Sequence, residues 1–118
     1  MIAFTSAIEP IRVANRMSGK RLYEWRTVSL TGAAVTASNG VAVQVDGAAA
    51  SGTEDALVVC AGLNPARYDS PALTAALRRA LRSGAMLGAV CTGSVLLLGL
   101  LKLAIGLSRH RPVGFLVV

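Results

Sequence analysis

The chain has 118 residues, which is enough for one domain with a single core and too few for two. Apolar residues make up 53% of the chain and charged residues 15%, a composition that excludes a disordered protein. The net charge of +6 suits an anionic partner, but the arginines are dispersed and aromatic residues make up only 4%, so a solvated basic surface explains the charge better than nucleic-acid or membrane binding.

The first predicted element is a helix over residues 7–17. Ser6 and Glu9 have the spacing of a capping box, and Pro10 is tolerated only near a helix start. The Ser-Gly pair at 18–19 ends the helix. In a doubly wound domain a central strand precedes the first helix. No such strand is present in this sequence, so we expect the reading frame to begin inside a domain.

The next segment contains the predicted β-structure of the first half. Residues 22–30 alternate and are rich in aromatic and β-branched side chains, which predicts a strand. Residues 35–45 predict two short strands around Asn39-Gly40, the strongest hairpin signal of the chain. The small and polar residues 47–53 predict a loop.

A buried strand and the clearest helix follow. Residues 56–61 form a continuous apolar run, which is typical of a strand covered on both faces and would place Cys60 in the core. Ser70 is the expected N-cap of the helix, with Pro71 at its first position and Gly84 past its end. The spacing predicts one buried helix face, which consists of Leu73, Ala76, Leu77, Ala80 and Leu81.

The most informative stretch is the short apolar run 86–90, which reaches Cys91 and gives way at once to Thr-Gly-Ser at 92–94. This pattern predicts a buried strand, a sharp turn and a helix over 94–107, with Cys91 at the ligand crevice. The helix N-terminus would favour the thiolate, so the turn is the thiol counterpart of a nucleophile elbow. Residues 113–118 predict a last strand.

Residues 86–107 have a second interpretation as a membrane-spanning helix. They carry a single charge, Lys102, and basic residues follow them. Thr-Gly-Ser at 92–94 and Gly99 interrupt the run, which favours the strand and turn.

Three segments in this order resemble a known family: 7–15 (AIEPIRVAN), 58–64 (VVCAGLN) and 88–93 (GAVCTG). They are similar to the amidotransferase-like domain of the DJ-1/PfpI superfamily and, more narrowly, to the N-terminal domain of AraC-type transcriptional regulators. The resemblance covers about residues 3–98. It implies a flavodoxin-like, three-layer α/β/α domain with a mainly parallel sheet, incomplete at its first strand and after the Cys91 helix.

The resemblance also divides the chain. Residues 1–98 are expected to form a partial DJ-1/PfpI-like domain. Residues 99–118 depart from the family, which continues with a Gly-Leu-Leu-Asp/Glu-Gly turn and, in the regulators, a helix-turn-helix domain. We therefore expect a truncated or frameshifted copy with an aberrant tail, consisting of a helix end and one strand.

The resemblance implies a non-catalytic sensing domain that lacks the DNA-binding half of its regulator. A crevice near Leu63, Asn64, Cys91 and Thr92 would bind a small metabolite, without a cofactor or metal. We expect a cytoplasmic protein with no membrane contact and no direct DNA contact by this chain. Loss of a central strand would expose backbone groups on its neighbours, so we also expect a homodimer or poor solubility.

The alternative is a DJ-1/PfpI-type thiol enzyme, a hydrolase, lyase or glyoxalase-like protein that acts through Cys91. A nucleophilic thiol needs a proton-handling partner. The sole histidine, His110, lies in the tail, and Glu9 is the only carboxylate near the place where the family's enzymes carry an acid. Glu9 is explained by the capping box, so we favour a non-enzyme. Cys91 is then either a small residue that fills a tight turn or a redox-responsive or ligand-contacting thiol.

Overall fold

The computed structural model of the protein describes residues 1–49, 54–63, 67 and 69–93. This part of the chain forms an α/β arrangement, as predicted. Its elements in chain order are α1 (Ile2–Ser18), β1 (Val28–Ser29), β2 (Val35–Thr36), β3 (Ala42–Val43), β4 (Gly47–Ala48), β5 (Ala56–Ala61), α2 (Pro71–Arg82) and β6 (Met86–Cys91).

The centre of the fold is the parallel pair of β5 and β6. Their six rungs run from Ala56 opposite Met86 to Ala61 opposite Cys91. Helix α1 packs against both strands, and α2 packs against β6. The two apolar runs are short and bounded by glycine or polar residues, which favours strands, and parallel pairing requires the intervening helix as a crossover.

The prediction that β5 is covered on both faces is wrong for the described residues. Along the strand, Leu57, Val59 and Ala61 are half-buried, while Ala56, Val58 and Cys60 are exposed. Helix α2 lies over β6, so α1 is the helix that covers β5, and alternate side chains of that strand stay in contact with solvent. Cys60 is therefore not a core residue, contrary to expectation.

Helix α2 confirms its predicted start and end. The Ser70 side chain accepts a hydrogen bond from the Leu73 N–H at 3.2 Å, and Pro71 follows it as the first helical residue. At the other end, Gly84 has φ 90°, and the Ala85 N–H donates to the Ala80 carbonyl at 3.0 Å in a Schellman motif.

The buried face of α2 is narrower than predicted. Among the described residues, the buried apolar side chains are Ala76, Leu77, Ala80 and Ala85. Leu81 was expected on this face but is 47% exposed, because the buried arc runs from Ala76 through Ala80 to Leu77, and Leu81 lies beyond Leu77, outside that arc.

Helix α1 starts earlier than predicted. It begins at Ile2, so Ser6 and Glu9 lie inside the helix and do not form a capping box. The half-buried residues Ala3, Phe4 and Ala7 extend the apolar stripe toward the N-terminus, and burial of this stripe favours the longer helix. Pro10 lies in the helix interior, and Gly19, at φ 65°, ends the helix.

The predicted strand 22–30 is reduced to the two residues of β1. The Asn15 side chain explains part of this difference. Its Oδ1 accepts hydrogen bonds from the Leu22 and Tyr23 N–H groups, each at 2.9 Å, and its Nδ2 donates to the Tyr23 carbonyl at 2.8 Å. These backbone groups are bound to α1 and are not available to a sheet.

The hairpin predicted at residues 35–45 is confirmed, whereas the loop predicted at residues 47–53 contains a short strand. β2 and β3 pair antiparallel, with Val35 opposite Val43, and Gly40 in the connection has φ 83°. Within the segment predicted as a loop, β4 pairs in parallel with β1. Asp46 promotes this pairing, because its carboxylate accepts hydrogen bonds from the N–H and hydroxyl of Thr27 at 2.8 and 2.9 Å.

Several predictions lie outside the described residues: the helix 94–107, the strand 113–118, the tail 99–118, Asn64 and His110. The alternative of a membrane helix from residue 86 is wrong at its start, because Met86–Cys91 is a strand paired with β5. Within the described residues, no helix has the length and apolarity needed to cross a bilayer.

Candidate functional site at the carboxyl ends of the paired strands

The candidate site lies where β5 and β6 end. Because the strands are parallel and Ala61 is opposite Cys91, both carboxyl ends meet at one edge, as predicted. The exit of β5 continues through Gly62 to Leu63, whose side chain is 72% exposed. Cys91 is also exposed. Open α/β sheets bind ligands at this edge.

Cys91 adopts an unusual backbone conformation. Its φ is 56°, and it is the only non-glycine residue with positive φ among the described residues. The left-handed region costs such a residue roughly 1–2 kcal/mol. The strand ends at Cys91, the chain turns at Thr92 and is already helical at Gly93. The predicted turn at the end of this strand is therefore confirmed, and the helix predicted after it lies outside the described residues.

Two contacts hold this turn against β5. The Thr92 Oγ1 hydroxyl donates a hydrogen bond to the Gly62 carbonyl oxygen. Gly93 is buried, and a Cβ there would collide with the Val59 carbonyl oxygen and lie 3.1 Å from its carbon. Only glycine fits at 93 without a shift of the backbone. Sequence reasoning included Gly93 in the turn but missed its close approach to β5.

Ser38 also reaches this edge, and sequence reasoning did not identify it. It lies in the connection of the β2–β3 hairpin, and a Cβ at Gly62 would lie 3.9 Å from its Oγ. The hydroxyl of Ser38 is therefore close to the exit of β5. No sequence pattern links residues 38 and 62, because the contact depends on where the whole hairpin packs.

Glu9 forms an ion pair on α1. Its two carboxylate oxygens accept hydrogen bonds from Arg12, at 2.5 Å from Nη2 and 2.8 Å from Nε. Both side chains are about half exposed. Hydrogen bonding from Arg12 lowers the pKa of Glu9 below its usual value, so this carboxylate is ionised at neutral pH. This pair accounts for Glu9 better than the predicted capping box, and a catalytic role for Glu9 stays a prediction.

The two cysteines do not form a disulfide with each other, and they lie in different surroundings. Cys60 is one rung before the edge, opposite Val90. Partial burial raises the pKa of the Cys60 thiol, and the positive charge of the chain's amino terminus opposes this effect. Within the described ranges, no group of three His, Cys, Asp or Glu residues is arranged to hold a metal ion.

The DJ-1/PfpI family matches residues 5–103, a range that contains α2, both strands of the central pair and the Cys91 turn. The chain belongs to the DJ-1/PfpI family. Its fold is therefore the flavodoxin-like α/β fold of that family, of which the described residues show the parallel strands and their helices.

Curated relatives of this DJ-1/PfpI domain are transcriptional regulators. The HTH-type transcriptional regulator CdhR of Pseudomonas aeruginosa is 46% identical over 98 residues, which are 82% of this chain and 29% of CdhR. GbdR from the same species is 41% identical over 80% of the chain and 26% of its own length, and GlxA of Rhizobium meliloti 31% identical over 82% and 31%. The chain thus spans less than a third of these regulators. No solved structure matches it.

The DJ-1/PfpI domain thus brings together three of the predicted site residues, Leu63, Cys91 and Thr92, at one edge. Asn64, which follows Leu63, lies outside the described residues. Glu9 is held by Arg12 on α1. The arrangement offers an apolar side chain, a thiol and hydroxyl groups to a small molecule at the end of the sheet.

Proposed function

We propose that this DJ-1/PfpI domain is a non-catalytic ligand-sensing domain of an AraC-type transcriptional regulator. The observation that carries this proposal is the 46% identity to an HTH-type regulator across the segment that contains the Cys91 turn. A small metabolite would bind at the exit of β5, between Leu63 and Cys91. The ion pair of Glu9 with Arg12 supports a non-catalytic role, because that carboxylate is already engaged.

The metabolite site is tested with the full 118-residue chain. Amino acids, amines, carboxylic acids and sugars are added singly, and the melting temperature is recorded. A ligand at 100 times its Kd stabilises the folded state by about 2.7 kcal/mol. We expect at least one compound to raise the melting temperature of wild type and of Leu22→Asp, which changes a remote exposed side chain, but not of Leu63→Asp. Equal stabilisation of Leu63→Asp would contradict the site.

DNA contact in such a regulator would belong to a helix-turn-helix segment and not to this domain. Arginines at the described surface are in part paired, as in Arg21 with Glu24 and Arg26 with Glu54. We expect gel-shift titration of duplex DNA at physiological salt to give no affinity beyond the non-specific range, about 10⁻⁴–10⁻⁶ M. Sequence-selective binding in that assay would refute this assignment.

The sensing domain would work as a homodimer. The exposed alternate side chains of β5, with Val58 46% exposed, support an intermolecular contact at this strand, because apolar strand surface tends to be covered. Light scattering should report a dimer for wild type and for Val41→Lys, whose site is 50% exposed in the hairpin, and a monomer for Val58→Lys. A wild-type monomer at all concentrations would exclude the dimer.

The thiol enzyme is the second candidate, and the positive φ of Cys91 is the observation that favours it. Strained turns of this kind present nucleophiles. Turnover of methylglyoxal and of p-nitrophenyl acetate would distinguish the two proposals. A sensing domain should show the same background rate for wild type, Cys91→Ser and Cys60→Ser. A rate abolished by Cys91→Ser and kept by Cys60→Ser would establish the enzyme.

A further inference from the structure

The hydrogen bond between Thr92 and Gly62 lies one position beyond the last rung of the sheet. Backbone pairing of β5 with β6 ends at Ala61 and Cys91, because the chain leaves the strand direction at Cys91. The Gly62 carbonyl would then have no rung partner from β6. The Thr92 hydroxyl supplies the donor in its place. A side chain thus continues the ladder after the backbone has turned away.

This contact and the packing of Gly93 act on the same turn from two sides. Gly93 lies so close to Val59 that the end of the turn rests directly on the backbone of β5. Thr92 ties the exit of β5 to the turn. Cys91, which carries the unfavourable φ, comes immediately before these two anchors. A residue in a sparsely populated conformation persists only where its surroundings fix it.

We propose that Thr92 is a positioning residue whose hydroxyl, by binding the Gly62 carbonyl, holds Cys91 in the left-handed conformation and keeps its thiol exposed at the crevice. Without the hydroxyl, water satisfies the exposed Gly62 carbonyl and the turn loses one anchor. Cys91 then relaxes toward extended backbone. In that state it continues β6, whose residues 87–90 are half-buried, and its thiol becomes less accessible.

The test measures alkylation of the two cysteines in the full chain by iodoacetamide, with mass spectrometry of each cysteine peptide. Cys60 serves as the internal reference, because it lies one rung before the edge, and all variants are compared at one protein concentration, so that any dimer contact at the exposed face of β5 affects its rate equally. In Thr92→Val we expect the Cys91 rate relative to Cys60 to fall roughly fivefold, the factor that corresponds to one net hydrogen bond. Thr92→Ser keeps the hydroxyl and should restore the wild-type ratio.

Thr36→Val is the matched control, because Thr36 is exposed in β2, which pairs with β3 and not with the central strands, so the substitution should leave the ratio unchanged. A merely structural role for Thr92 would loosen the fold and raise both rates together, with the ratio unchanged, and that result would overturn the proposal. Failure of Thr92→Ser to restore the ratio would do so as well. No ligand is needed, so the outcome is independent of the metabolite-binding proposal.

Discussion

Two regions of this DJ-1/PfpI domain have equally clear strand patterns in their sequence, yet they differ in how much regular secondary structure they form. The elbow unit, residues 69–93, contains a capped twelve-residue helix and a six-residue strand. The hairpin region, residues 22–49, contains four strands of two residues each. The difference shows that a strand pattern reaches its full length only where a partner strand and a covering helix are both present.

The contacts of each region explain this contrast. In the elbow unit, β6 has β5 along its whole length and α2 packed on it. In the hairpin region, β1 pairs with β4 over two residues, while Asn15 binds the backbone before it. We therefore expect substitutions in the elbow unit to be more damaging than similar ones in the hairpin region.

The largest effect is expected at Gly93. A valine there would force the turn away from β5, because its Cβ overlaps the Val59 carbonyl. We expect Gly93→Val to lower the free energy of unfolding by roughly 3 kcal/mol, measured by urea denaturation. Gly47→Ala in the hairpin region is the control. Nothing lies within 4 Å of a Cβ at that position, so a change of no more than about 0.5 kcal/mol is expected. Equal stability of both variants would break the comparison.

The next effect concerns side-chain burial. Leu77 in α2 is 2% exposed, whereas Leu22 in the hairpin region is 56% exposed. Truncation of a buried leucine removes apolar contact and leaves a cavity, so Leu77→Ala should cost roughly 2–3 kcal/mol in thermal unfolding. Leu22→Ala should cost less than about 0.5 kcal/mol. If Leu22→Ala were the more damaging variant, the hairpin region would hold the main core.

A smaller effect separates the two helices. Ser70 caps α2 through the Leu73 N–H, whereas Ser6 lies inside α1. Ser70→Ala should therefore lower the free energy of unfolding by about 1 kcal/mol. Ser6→Ala should leave it unchanged or raise it slightly, because alanine is the better helix former. A loss of stability in Ser6→Ala would instead support the capping box that the sequence predicts and the structure does not contain.

Features of the elbow unit could be predicted from the sequence more fully than those of α1 and the hairpin region. The cap at Ser70, the glycine end of α2 and the turn at Cys91 were predicted correctly, because each depends on neighbours a few residues away. The family was predicted from three short motifs and is confirmed. The start of α1 and the length of β1 were not predicted, because burial of the N-terminal stripe and the hydrogen bonds of Asn15 decide them.

The candidate site shows the same limit. The shared edge of Leu63 and Cys91 could be predicted, since parallel strands bring their carboxyl ends together. Ser38 could not, because its approach to Gly62 depends on where the hairpin connection lies relative to the exit of β5. The ion pair of Glu9 with Arg12 could have been found from their i,i+3 spacing on a helix, but the capping-box pattern pointed to another role.

The smallest effect is expected from pH in the hairpin region. Hydrogen bonds from the Thr27 N–H, and next from its hydroxyl, lower the pKa of Asp46 below its unfolded value. Around these pKa values the folded state therefore binds fewer protons than the unfolded state. The stability that the ionised Asp46 contributes is fully present above the unfolded pKa and is lost as the pH falls through the folded pKa. Asp46 is solvent-exposed, so the effect is small.

The test is the free energy of unfolding, measured at a series of pH values between 6 and 3, a range placed around the usual Asp pKa of about 3.9. As the pH falls, this free energy should decrease less steeply for Asp46→Asn than for wild type, with Thr27→Val in between. Identical slopes for all three would show that the link between Thr27 and Asp46 does not stabilise β1 and β4.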